Sequence, residues 1–270
     1  MSARVVSLAR STHPGPALAV TIVMVVLGFA AGLEPWRIVM LGFAMLANQL
    51  SVGLSNDWLD ADRDTANRRT DKPVALGLVS KRLARNTAFT TAALALALTL
   101  PLGGPALLAH LVMLGSAWSY NLVLKRTALS VLPYIVSFGL LPLIATLALP
   151  TPHPAAWWAI AAGSLLGIAA HFANVLPDLA DDAATGVRGL PHRFGAVGSG
   201  VVIALALAAA SALVVFGPGA PGAVQWVGLV VTLALAGVTV VLALTREPTR
   251  LLFQLIIATA ILDVALLALS

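Results

Sequence analysis

Stretches without a single charged side chain constrain this chain more than any other feature of its 270 residues. A hydrocarbon core is crossed by about 20 apolar residues, and the gaps between charges match that length or twice it. Arg10 to Glu34 and Arg37 to Asp57 each hold one span. Asn86 to Leu124 holds two, divided at the turn signal Pro101-Leu102-Gly103-Gly104-Pro105. Thr127 to Pro177 divides the same way at 150–154, and Phe194 to Thr245 at 217–222. Leu251 to Ser270 supplies a last span, so the chain is expected to be an all-α membrane protein, a nine-helix transmembrane bundle in one domain over 1–270. The first run is too long for the apolar region of a secretory signal and is kept as a helix.

Only 10% of the residues are charged, 59% are hydrophobic and the mean hydropathy is +0.95, which excludes a soluble globular domain. The formal charge of +5 would suggest nucleic acid in a soluble protein; here it is a matter of topology. With nine spans and a cytoplasmic N-terminus, every one of the 16 Lys and Arg except Arg37 falls in an inside segment. A multi-pass protein of the cell membrane, with the bilayer and not nucleic acid as its partner, follows. Without cysteine, disulfides, thiolate metal sites and cysteine nucleophiles are excluded.

The acids are not scattered. Asp57, Asp60, Asp62, Asp64 and Asp71 follow the second span, and Asp178, Asp181 and Asp182 follow the sixth. Both stretches contain Asn-x3-Asp-x3-Asp, as Asn56, Asp60, Asp64 and as Asn174, Asp178, Asp182. The repeat lies four spans apart, the mark of two pseudo-repeated four-helix units with a ninth helix added. On a helix, i, i+4 and i+8 share one face with neighbours roughly 5 to 6 Å apart. Carboxylates that close repel by about 3 kcal/mol at an effective dielectric near 20, so a cation must lie between them or protons must stay on. An oxygen-only donor set suits Mg²⁺, which takes one or two carboxylates together with substrate phosphates. Two such stripes form a cradle for a Mg-bridged diphosphate.

On these motifs the chain resembles the UbiA superfamily of intramembrane prenyltransferases, with its nine helices, an Asn-Asp-x2-Asp-x3-Asp motif after the second and an Asp-x3-Asp motif after the sixth. The first is complete here as Asn56, Asp57, Asp60 and Asp64, and the second is Asp178 and Asp182. Asp71 to Ser80, Tyr120 to Arg126 and Gly186 to Gly195 are similar to further family segments. Val175 and Pro177 depart from it: many members carry Asp at the first position, and the menaquinone-type branch carries Arg at the second.

The resemblance implies Mg²⁺-dependent transfer of an isoprenoid chain from a prenyl diphosphate to a lipophilic, quinone-precursor-like acceptor. Asp60, Asp64, Asp178 and Asp182 would be the metal ligands, with Asn56 and Asn174 completing or orienting their shells. Arg68, Lys72, Lys125 and Arg188 would hold the leaving diphosphate beside Tyr120, within loops at 56–85 and 178–195 that cap the site. Asp57 and Asp181, one position off the metal stripe, are candidates either to deprotonate an acceptor hydroxyl or to pair with a loop Arg. Within the spans, Gln49 and His171 could line the pocket below the metals, though hydrogen bonding between helices is the commoner role, and Tyr134, Phe138, Phe172 and Trp118 could wall a prenyl tunnel, though span aromatics usually serve packing or anchor at the interface. Asp263, far from the other acids, is expected to meet a polar partner or the outer interface. A different class, the cation-coupled transporter, also uses paired intramembrane acids, usually near the bilayer midplane; here both stripes sit at span ends beside basic loops.

Overall fold

A computed structural model describes residues 3–179, 182, 186–245 and 250–268, and among them every regular element is helical. In chain order the helices are α1 (Ala3–Arg10), α2 (Pro14–Ala30), α3 (Pro35–Ala66), α4 (Lys81–Thr99) and α5 (Gly104–Leu122). They continue with α6 (Leu132–Leu147), α7 (Trp157–Val175), α8 (Leu190–Phe216), α9 (Ala223–Thr245) and α10 (Arg250–Ala268). From α2 onward each helix occupies one of the runs between charges, and the breaks fall at the Pro/Gly signals. Among the described residues, four segments are long and apolar enough to cross a membrane unaided: Pro35–Ala66, Lys81–Leu102, Trp157–Asp178 and Leu190–Phe216. Pro14–Ala30, Leu132–Leu147, Ala223–Thr239 and Ile257–Leu266 are shorter apolar helices.

Both capping loops are shorter than expected, because helices take up parts of them. At 32 residues, α3 is about 48 Å long, well beyond a hydrocarbon core. Residues 56–66 therefore continue the helix, and the first loop is only 67–80, ending where the Ser80 hydroxyl caps α4 by accepting from Leu83 N–H at 3.2 Å. In the second half, α7 stops at Val175 and a 3₁₀ turn, Leu176–Asp178, follows with Pro177 inside it. Residues 190–195 likewise open α8 and are not loop.

The halves are built alike: α3 packs between α2 and α4, α7 packs between α6 and α8, and α10 closes the bundle against α2, α7, α8 and α9. Gly167 shows how tightly α6 and α7 meet, since a Cβ there would come within 2.4 Å of the Tyr134 carbonyl oxygen. Small residues at such crossings let backbones approach, and this one fixes the height of Tyr134 and Phe138. At the end away from the acids, Met24, Leu41, Met45 and Ile144 form a sealed core. Arg37 closes it, donating to the Ala148 carbonyl at 2.8 Å and pairing with Glu34 at 3.2 Å.

Candidate functional site

The first acid motif stands on the uninterrupted end of α3. Asn56 Nδ2 donates to Asp60 Oδ2 at 3.2 Å, the i, i+4 contact expected of one helical face. Asp57, Asp60 and Asp64 are 1%, 2% and 3% exposed, and acids so buried need partners. Asp57 Oδ1 accepts from Lys72 Nζ at 2.7 Å and faces His13 Nε2 at 2.9 Å. Asp60 accepts from Lys125 Nζ and from Arg63 Nη2 at 3.0 Å. The same Arg63 lies 3.8 Å from Asp64 and 3.5 Å from Asp182 across the site.

The second motif is looser. Asp178 meets Arg69 at 2.9 Å and keeps 40% of its side chain exposed. Asn174 donates to the Tyr134 hydroxyl at 3.3 Å. Burial raises the Asp182 carboxyl to about 6, with Asp178 and Asp60 adding to the rise against the pull of Arg63. Arg69 also grips Asp71 with two bonds of 2.9 and 3.0 Å, and these hold Asp71 down at about 2 and raise the guanidinium in turn. Asp181 lies outside the described residues.

Expected and observed cations differ by one register position. Arg68 takes the left-handed conformation, φ 51°, that ends α3, with Arg68 N–H bonded to Thr65 O and Arg69 N–H to Asp64 O. This double closure is the Schellman pattern. It leaves Arg68 exposed and outside the site wall and brings Arg69 back over the acids. Arg188 is exposed too, while its neighbours Val187 and Gly189 line the site. Lys72, Lys125 and Tyr120 stand where expected. Arg63, Arg69 and His13 are additions. For Arg63 the signal was present, three residues after Asp60 on the same helix; for Arg69 and His13 no local pattern exists.

Two cavities meet at this end. The acids, Lys72, Lys125, Arg63 and Arg69 line a polar one. Beneath it an apolar one runs into the bundle past Val20, Val23, Met113, Leu141, Phe138 and Ile261. His13, Asn56, Tyr120 and Asn174 belong to both walls. Gln49, Tyr134 and Phe138 line the apolar cavity. His171 takes the hydrogen-bonding alternative, bonding Ser130 at 3.0 Å, and Phe172 in the α7–α8 core and Trp118, donating to Ser51 at 3.1 Å, take the packing one, all away from both cavities. Asp263 accepts from Ser211 at 3.0 Å, the polar partner it was expected to find.

An all-oxygen donor set suits a hard divalent ion, and Asp64 Oδ2 is buried with no hydrogen-bond partner among the described residues. Arg63 occupies the gap between the stripes, and among the described residues no three His, Asp or Glu converge closely enough to hold a metal unaided. The donor chemistry fits such an ion once further oxygens are brought in.

Fold and site together define an intramembrane helical bundle whose charged mouth opens onto an apolar interior. The chain belongs to the UbiA prenyltransferase family, which matches residues 17–257. No curated protein matches it. Among solved structures, the apo form of a UbiA homolog from Aeropyrum pernix K1 superposes with a TM-score of 0.77 at 23% identity, covering 91% of this chain and 96% of that one. A UbiA homolog from Archaeoglobus fulgidus bound to GPP and Mg²⁺ gives 0.76 at 15% identity, covering 97% and 98%. A structure concerned with digeranylgeranylglyceryl phosphate synthase gives 0.68 at 13%, covering 99% and 97%.

Proposed function

We propose that the chain transfers an isoprenoid chain from a prenyl diphosphate to a lipophilic acceptor of the aromatic, quinone-precursor class, within the membrane. One observation carries this reading: the acid- and cation-lined cavity opens directly onto the apolar one through the shared wall of Asn56, Tyr120 and Asn174. Such a site accepts a molecule with a highly charged head and a hydrocarbon tail. The A. fulgidus homologue structures with GPP and Mg²⁺ and with DMAPP and Mg²⁺ support the same substrate class.

In this reading Asp60, Asp64, Asp178 and Asp182 hold Mg²⁺. The ion supplies charge neutralisation for the departing diphosphate. Lys72, Lys125, Arg63 and Arg69 are already aimed at the same space and stabilise the negative charge that grows on the leaving oxygens. Asn56 orients Asp60 from below, and Asn174 is tied instead to the Tyr134 hydroxyl beside the head group's place. Tyr120 and Tyr134, edge-to-face with centroids 5.2 Å apart, give a rigid aromatic wall where head and tail meet. The bundle is read as nine spans in the cell membrane, N-terminus and acids cytoplasmic, on the strength of the lone outer cation Arg37.

The test is calorimetric titration of the purified protein in detergent with geranyl thiodiphosphate, in millimolar Mg²⁺ and in EDTA. It is followed by labelled geranyl diphosphate with hydroxybenzoate, dihydroxynaphthoate and lipid-alcohol acceptors. Binding at least tenfold tighter in Mg²⁺ is expected, together with a prenylated product. Equal affinity in EDTA would remove the metal-bridged head group and with it this reading.

A further inference from the structure

His13 is absorbed by nothing above, yet it stands where the two cavities join. It lies between α1 and α2, 44 residues from Asp57 in sequence. Its place is built from the backbone. Ser11 and Thr12 are buried, and Thr12 lies flush on α3 at Gly53, where a Cβ would come within 2.5 Å of the Thr12 carbonyl oxygen. His13 itself is left-handed, φ 53° and ψ 64°, immediately before Pro14. A non-glycine residue in this conformation is strained and persists only where surrounding structure imposes it.

The ring has two distinct ends. Nε2 is 2.9 Å from Asp57 Oδ1 and 3.1 Å from Lys72 Nζ, which itself donates to that carboxylate. With Asp57 accepting from the ring and Lys72 directing its protons to Asp57 and Asn56, Nε2 carries the proton and Nδ1 is the ring's free acceptor. Nδ1 has no hydrogen-bond partner among the described residues, and 39% of the side chain is exposed, in a residue that lines both cavities. A buried carboxylate fixing the tautomer of a histidine whose other nitrogen faces the reaction space is the arrangement of a general base.

We propose that His13, oriented by Asp57, takes the proton that the acceptor loses on prenylation. This rests on the transfer reading. In the step, the allylic C–O bond breaks with its electron pair leaving on the diphosphate. The acceptor's nucleophilic atom bonds the freed carbon, and the proton that atom carried passes to Nδ1, then to solvent through the open polar cavity. The Asp57 carboxylate steadies the imidazolium meanwhile.

Nitrogen-15 NMR of histidine-labelled protein, with His13 assigned by its loss in His13→Gln, reads the ring without any acceptor. An Nε2–H tautomer with bare Nδ1 is expected, and Nδ1–H would overturn the proposal. In transfer assays His13→Gln should lower kcat about 100-fold at unchanged KM for the prenyl diphosphate, with geranyl thiodiphosphate affinity within about twofold of the parent. Added imidazole should restore part of the turnover of His13→Ala. Undiminished turnover in His13→Gln, or loss of analogue affinity in step with turnover, would each sink the assignment. Failure of the parent protein to bind the analogue with Mg²⁺ is a separate result and strikes the transfer reading itself.

Discussion

Asp60 and Asp178 occupy matched places in two copies of one motif, yet the first is 2% exposed and the second keeps 40% of its side chain in solvent. The backbone explains the difference. Nothing interrupts α3 before Ala66, so its acids keep helical spacing and lie buried among their cationic partners. In the other half Pro177 follows the end of α7, and the chain tightens into a 3₁₀ turn that carries Asp178 outward. Partners follow suit. The first motif is tied by Lys125, Lys72 and Arg63, while Asp178 has one guanidinium reaching over from a loop. One half of the site is preorganised, and the other is left able to adjust to what enters.

The sharpest way to break this contrast is to neutralise each acid in turn. Asp60→Asn should cost at least about 100-fold in transfer and also destabilise the fold by about 3–5 kcal/mol, since Lys125, 5% exposed, is stranded without its counter-charge. Thermal unfolding in detergent checks this. Adding Lys125→Met should recover most of the stability and none of the transfer. Asp178→Asn should match it in lost Mg²⁺-dependent analogue binding but shift stability by no more than about 1 kcal/mol, as for any exposed ion pair. If both variants unfold equally early, the two halves are not different in kind.

Pro177→Ala probes the cause. Restoring an N–H to the turn lets α7 run on, and analogue affinity should fall severalfold by calorimetry while the melting temperature stays near the parent's. An unchanged affinity would mean that the turn does not set the position of Asp178.

The smallest effect expected is that of Asp71. Arg69 holds its folded-state value at about 2, below that of a carboxylate in an unfolded chain, so its contribution is present above about pH 4 and fades as pH falls toward 2. Asp71→Asn should therefore be slightly less stable than the parent at pH 6, with the gap closing as pH drops. A gap that widens on acidification would contradict the pairing.

Much of this was readable in the residues themselves. Charge gaps and Pro/Gly breaks located the helices, and the period of four put Asn56, Asp60 and Asp64 on one face, because a helix turns strings of residues into faces by local geometry alone. The same arithmetic misled at Asn174, Asp178 and Asp182, where Pro177 replaces the α-helical turn with a tighter one. Arg68 and Arg69 could not be told apart in advance, since the choice rests on which residue goes left-handed at the end of α3. His13 was out of reach, because its meeting with Asp57 depends on Thr12 settling against Gly53. Such contacts belong to packing between distant segments, and no spacing encodes them.

The guanidinium of Arg63, reaching Asp60, Asp64 and Asp182 together, also bears on how the molecule is made. A bundle that brought these three carboxylates together bare would set them repelling one another. Here the counter-charge is encoded in the chain, so the two halves of the site can close on each other without waiting for an ion.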